Sequence, residues 1–264
     1  MMTFQILLLL GATLALAFGK GTNSGCAPLD IAFLIDESAS IPDKDFKEVL
    51  RFSDALVSQL AKDADVKVGI IDFSTEAVPT LWLNDPANNE GASAVGKKFL
   101  GVVRSAENFN TNTHLAFFIA RTQMLNTSFG VGTRCVATRV VILITDGLPS
   151  WPTDAYMEAT ATLAQDIAVF VIGTGPDDNF GSGMGSRYLL AAYFTGGDVS
   201  NVFRATNYAE LQSMVASIKG SLCQVSNVRT KASQISKLDT KAYKENPANA
   251  ANDPKSRNRP GQCK

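Results

Sequence analysis

From Leu29 onward the chain alternates short runs of β-branched and aliphatic residues with longer amphipathic stretches, and this pattern restricts the fold more than any other feature. The strongest run, Arg139 to Thr145 (RVVILIT), is apolar at consecutive positions, which suits a strand covered on both faces. Ile31 to Ile35 reads the same way. Between them, Asp43 to Ala61 places Phe46, Val49, Leu50, Leu56, Val57 and Leu60 at three- and four-residue spacing, the signature of one buried helix face. Strands that alternate with helices in this manner build an α/β fold: a doubly wound, mostly parallel sheet with helices on both faces. One departure is expected. Val66 to Phe73 and Val78 to Leu83 are joined only by Ser74-Thr75-Glu76, too short a link for a parallel crossover, so the second strand runs antiparallel at the edge. Further helices are predicted over Ser93 to Arg104, Thr113 to Leu125, Asp154 to Gln165 and Tyr208 to Leu222. Ile167 to Ile172 reads as a strand and Val202 to Arg204 as a short edge strand. The 264 residues, 45% of them apolar, suffice for one such domain with appendages.

The appendages differ from the body. Ile6 to Phe18 is an uncharged apolar run of 13 residues, shorter than the ~20 that a membrane-spanning helix needs, so residues 1–19 read as a signal peptide cut after Ala17 or Gly19. No later segment is apolar enough to span a bilayer, and the protein is expected to be secreted. Residues 21–223 carry 14 Lys/Arg against 22 Asp/Glu, a net of −8, and an acidic body argues against nucleic acid as a partner. Residues 224–264 carry 9 against 3, a net of +6, with few large apolar residues after Ile235. That composition predicts a disordered basic tail with at most a short helix, whose charge serves solvation or, in the alternative, a polyanionic partner. Export into an oxidising compartment frees Cys26, Cys135, Cys223 and Cys263 to pair.

In a sheet of this type, ligands gather beyond the carboxyl ends of the strands where strand order reverses. Asp36 ends the first strand and opens Asp36-Glu37-Ser38-Ala39-Ser40; Asp146 ends RVVILIT and precedes Gly147. If those strands are neighbours, both carboxylates and the Ser38 and Ser40 hydroxyls share one small space. Asn110-Thr111-Asn112-Thr113 adds oxygen from a third loop. Hard, mixed carboxylate and hydroxyl oxygen suits Mg²⁺, with Mn²⁺ or Ca²⁺ as substitutes, and too few protein donors are present to close its shell. Each piece alone is an ordinary cap or turn; their joint occurrence in one α/β chain carries the argument.

LDIAFLIDESAS, VKVGIIDFS, the Thr111-Asn112-Thr113 loop, VVILITDG and AVFVIGTG, taken in order across residues 27–223, resemble the von Willebrand factor A and integrin inserted-domain family. The resemblance implies a Rossmann-like fold and a metal-ion-dependent adhesion site carried by Asp36, Ser38, Ser40, Thr111 and Asp146. It also implies a ligand whose acidic side chain completes the coordination. This chain has Ala39 where the family has Gly, and a long Gly-rich stretch from Phe180 to Gly185.

Cys26 precedes the first strand and Cys223 ends the last predicted helix, both at the face opposite the metal, so a Cys26–Cys223 disulfide is expected. Cys135, on that same face, can pair with Cys263, or either can crosslink to a second chain. Asn126-Thr127-Ser128 is a glycosylation sequon. His114, the one histidine, has no partner for a catalytic dyad or a zinc site, and Gly173-Thr174-Gly175 lacks the rest of a dinucleotide fingerprint. No nucleophile with a base and no phosphate loop is visible, so the chain reads as a non-enzymatic, extracellular binding module that captures a protein ligand, collagen-like or another matrix protein. The alternative is a structural matrix component with a vestigial metal site, assembled through its cysteines and basic tail.

Overall fold

The computed structural model describes residues 25–105, 108–175 and 187–245. Six strands form one sheet in the order β3-β2-β1-β4-β5-β6, built from β1 (Leu29–Asp36), β2 (Val66–Phe73), β3 (Ala77–Leu81), β4 (Thr138–Thr145), β5 (Ala168–Thr174) and β6 (Val202–Ala205). All neighbours are parallel except β2 and β3. This is the doubly wound sheet with one antiparallel edge that the sequence predicts. Pro79 lies within β3, where a missing N–H is tolerated because the strand has one neighbour.

Helices α1 (Asp43–Leu60), α2 (Ala87–Glu90), α3 (Ala92–Leu100), α4 (Thr113–Ile119), α5 (Pro152–Ala164), α6 (Arg187–Phe194) and α7 (Leu211–Glu245) complete the fold. Because strand side chains alternate, each strand feeds two cores. Leu29, Ile31, Phe33 and Ile35 of β1 pack with Phe46 and Leu56 of α1, Phe99 of α3 and Leu211, Ile218 and Leu222 of α7. Ala32 and Leu34 point the other way, toward Phe117 of α4, Ala155 and Ala159 of α5 and Phe194 of α6. The consecutive apolar residues of RVVILIT divide in the same manner, Val140, Ile142 and Ile144 to one side and Val141 and Leu143 to the other.

Several boundaries differ from expectation. The helix expected over Ser93 to Arg104 stops at Leu100, capped by Gly101, which frees Arg104 for another role. The helix expected to reach Leu125 ends at Ile119 and widens into a π turn over Ala120–Met124. There Met124 fills the space that a Cβ on residue 69 would need, so Gly69 on β2 is a close-approach glycine. The largest correction concerns the last helix. It does not end near Leu222 but continues to Glu245, so residues 224–245, expected to be disordered, are helical. Propagating an already docked helix avoids the nucleation cost of an isolated one, and no Gly or Pro occurs between Gly220 and Pro247 to stop it.

At the end of the sheet opposite the carboxyl termini of the strands, Cys26 and Cys223 form a disulfide with Cα atoms 4.6 Å apart. Cys135 is also disulfide-bonded; Cys263, like residues 1–24 and the Phe180 to Gly185 stretch, lies outside the described residues. Arg134 braces the same end. Its Nε donates to the buried Asp30 carboxylate at 2.8 Å, and its Nη atoms reach the carbonyl of Leu29 at 2.8 Å and the carboxylate of Asp65 at 2.5 Å. Among the described residues no helix is long and apolar enough to cross a membrane.

Candidate metal centre

β1 and β4 are neighbours in register, Ile35 beside Ile144, and strand order reverses between them. The crevice beyond their carboxyl ends is therefore the position where this architecture collects ligands. Asp36 lies at its floor, fully buried. One carboxylate oxygen accepts the Ser38 backbone N–H at 2.9 Å and the other accepts the Thr145 hydroxyl at 2.6 Å. Burial pushes the Asp36 carboxyl up to about 6; the bonds from Thr145 and Ser38 oppose that rise, and the charge of Asp146 adds to it.

The remaining oxygens form a line above this floor. Ser38 Oγ lies 3.0 Å from Ser40 Oγ, and Ser40 Oγ donates to Asp146 Oδ1 at 2.9 Å. The Ser38 hydroxyl also bonds the Asp36 carboxylate, so the chain of contacts runs from the buried floor to Asp146. Two acidic side chains with hydroxyls between them make a donor set of hard oxygens that a divalent cation fits. Among the described residues no group of three or more His, Cys, Asp and Glu is placed to hold a metal ion, and the donors at this crevice are two carboxylates and hydroxyls.

Three loops hold the line in place. Arg104 Nη2 donates to the carbonyls of Glu37 at 2.8 Å and Ser38 at 2.7 Å, while its other Nη bonds Asp43 at 2.6 Å. The Glu37 carboxylate turns inward and accepts the Ser105 N–H at 2.9 Å; its buried carboxyl is raised chiefly by desolvation. The Ala39 N–H donates to the Asn108 carbonyl at 2.8 Å, tying the first loop to the one that carries Thr111. Thr111 N–H donates to Ser150 Oγ, and Ser150 N–H donates to the Thr111 carbonyl, both at 2.9 Å, tying that loop to the one that follows Asp146. Asn112 anchors to Ser74 and Thr75 through their carbonyls at 2.8 and 2.7 Å.

The structure thus links Asp36, Ser38, Ser40 and Asp146 through one patch of hydrogen bonds that Thr145 completes, and it sets Thr111 on the adjoining loop. Thr111 is partly exposed, whereas Thr113, the other threonine of that cluster, is buried at the start of α4. Sequence reasoning missed Thr145, Arg104 and Ser150 as supports. Thr145 sits inside the strongest strand, where a threonine reads as β-propensity. Arg104 meets Glu37 and Ser38 across 66 or more positions, a distance that no local pattern spans.

The model of the von Willebrand factor type A domain matches residues 30–217. Curated relatives include the mouse collagen alpha-4(VI) chain, 30% identical over 59% of this chain, and mouse matrilin-1, 29% identical over 57%. Mouse integrin alpha-X is 26% identical over 80%. The chain spans only 6%, 29% and 17% of their respective lengths. Proximal thread matrix protein 1 from the mussel byssus superposes over 75% of this chain and 49% of its own, with a TM-score of 0.63 at 20% identity. A second structure of that protein, with a zinc-occupied MIDAS motif, gives a TM-score of 0.61 at 19% identity over the same shares of the two chains. With its fold, its strand order and a family match over most of its length, this chain belongs to the von Willebrand factor type A domain family.

Proposed function

We propose that the domain is a secreted, non-enzymatic binding module that captures an extracellular protein through a divalent cation held by Asp36, Ser38, Ser40, Thr111 and Asp146. The observation that carries this reading is the line of hydroxyl and carboxylate oxygens from Ser38 through Ser40 to Asp146, seated over the buried Asp36. A bound Mg²⁺ would supply positive charge and one coordination place for an oxygen from outside. The protein's part is to present the oxygens. Arg104 fixes the backbone of the first loop, Thr145 orients Asp36, and Ser150 positions the loop of Thr111. Five protein oxygens would fall short of the roughly six that Mg²⁺ takes, so an acidic side chain of the partner is the group that fits. Zinc in the MIDAS motif of the mussel byssus protein supports a divalent cation here, and collagen, matrilin and integrin chains among the relatives support a matrix or cell-surface setting. Within that setting the apolar run from Ile6 to Phe18 acts as the export signal and Asn126 is glycosylated.

Calorimetric titration of the purified protein with Mg²⁺ and Mn²⁺ tests the reading: one site per chain is expected, and it disappears in Asp146→Ala with the fold retained by circular dichroism. Capture of matrix proteins should be lost in chelator. Absence of binding by either ion would favour a structural matrix component that assembles through its cysteines and basic tail.

A further inference from the structure

The cysteines at the foot of the sheet, the end opposite the metal centre, do not all belong to the bond that closes the domain. Cys26 and Cys223 pair with each other, and both are partly buried against the core that β1, α1 and α7 share. Cys135 is also in a disulfide, yet it sits apart from them on the loop before β4, exposed, and next to Val136, which is 71% exposed. The chain has four cysteines, so with Cys26 and Cys223 joined to each other one partner remains within it: Cys263, the penultimate residue.

The path of the chain permits that bond. α7 leaves the foot beside β4: the Thr138 hydroxyl, three residues on from Cys135, reaches the Ser226 carbonyl at 3.5 Å, and Arg229 donates to the Asp166 carbonyl at 2.6 Å. From Arg229 to Glu245 the helix advances about 24 Å, at roughly 1.5 Å per residue. Asn246-Pro247 follows, and proline does not continue a helix. The 18 residues from Glu245 to Cys263 then have an extended reach of about 59 Å, more than twice the outward run. Charge favours a return. Residues 246–264 carry Lys255, Arg257, Arg259 and Lys264 against Asp253, and the foot presents the exposed carboxylates of Asp65 and Asp166.

We infer that Cys135 and Cys263 form a second intrachain disulfide, a clasp that returns the C-terminal segment to the foot of β4, and that it is the labile bond of the two. Forming it joins the two Sγ atoms and passes their two protons and two electrons to a disulfide oxidant such as oxidised glutathione, which leaves as two thiols. Lability follows from exposure. A thiolate reaches Cys135 from solvent, whereas Cys26 and Cys223 are shielded by the apolar side chains packed around them. Mild reduction therefore frees a basic tail at the end of the domain remote from Asp36 and Asp146. While the clasp is closed, neither sulfur is a thiol that crosslinks to a second chain.

The test uses the full chain, purified without reductant, treated with iodoacetamide, digested with trypsin and read by mass spectrometry. Residues 135–139 and 258–264 should be recovered as one linked species that separates on reduction, and in Cys263→Ser the Cys135 thiol should become alkylatable. Recovery of Cys135 or Cys263 of the unaltered chain as alkylated thiols, or of either joined to Cys26 or Cys223, overturns the clasp. So does a dimer on non-reducing electrophoresis that Cys263→Ser converts to monomer, or a Cys135 that stays unreactive in that variant. For lability, limiting phosphine followed by alkylation should label Cys135 and Cys263 together, about tenfold faster than Cys26 and Cys223. Equal rates, or earlier labelling of Cys26 and Cys223, would overturn the order of reduction.

Discussion

Replacing Thr145 with Val keeps the shape of a β4 residue but removes the hydroxyl that supports Asp36. Thr145 Oγ1 donates to Asp36 at 2.6 Å in a buried setting and accepts the Gly147 N–H at 3.1 Å in a partly buried one. Asp36 already titrates near 6 because it is buried, roughly two pH units above its ordinary 3.8, so its ionised form costs the metal-free fold on the order of 3 kcal/mol. A hydrogen bond to a charged group contributes about 1.5–3 kcal/mol, and the bond from Gly147 about 1. Metal-free Thr145→Val should therefore lose about 2–4 kcal/mol at pH 8, where Asp36 is ionised. At pH 5 the carboxyl is largely protonated, so the loss should shrink to about 1–2 kcal/mol, the scale of neutral bonds. The titration of Asp36 should move from about 6 toward neutral pH, since its charged form has lost a donor. Urea unfolding in chelator with the disulfides intact measures the first effect, and carboxyl-carbon NMR the second. An equal loss at pH 5 and pH 8, or an unmoved Asp36 titration, would refute the assignment of this hydroxyl to the Asp36 carboxylate.

Other outcomes follow from the same structure. Protons compete with the cation for Asp36, so Mg²⁺ affinity measured by calorimetry should hold above pH 7 and fall by about tenfold per pH unit below about 6. Because the Asp36 carboxyl is raised by folding, the metal-free protein should gain stability as pH falls from 7 toward 4 through this group, and chemical denaturation of Asp36→Asn should show that dependence flattened. Arg104→Met removes the donor to the Glu37 and Ser38 carbonyls and should weaken Mg²⁺ binding several-fold while speeding amide exchange at residues 38–41. Arg134→Leu strands the buried Asp30 carboxylate and should cost about 3–5 kcal/mol, read by urea denaturation. Cys26→Ser with Cys223→Ser opens a link across 197 positions and should cost about 2–5 kcal/mol, seen as a lower melting temperature.

The sheet was legible because its strands are buried on both faces, which leaves uninterrupted apolar runs such as LDIAFLID and RVVILIT. The donors Asp36 and Asp146 were legible for the same reason: each follows such a run, and the topology decides that neighbouring strand ends form a crevice. What supports the donors was not. Thr145 is a strand residue by every local measure, and its bond to Asp36 spans 109 positions. Arg104 falls at the end of the helix expected over Ser93 to Arg104, which the structure ends at Leu100 with Gly101 as its cap. α6 escaped notice because its eight residues, RYLLAAYF, form an apolar run too short for helical periodicity to stand out. The tail departs from expectation for a different reason. Its composition cannot build a core, but a helix continued from a docked segment needs none, and Lys, Ala, Gln and Leu are good helix formers.

The account depends on a divalent cation seated among oxygens from three loops. Anomalous diffraction from crystals grown in Mn²⁺ tests it directly. One peak is expected among the side-chain oxygens of Asp36, Ser38, Ser40, Thr111 and Asp146, and it should vanish in Asp146→Ala. Ordered density for all five side chains with no Mn²⁺ signal between them, or a signal elsewhere on the surface, would contradict it.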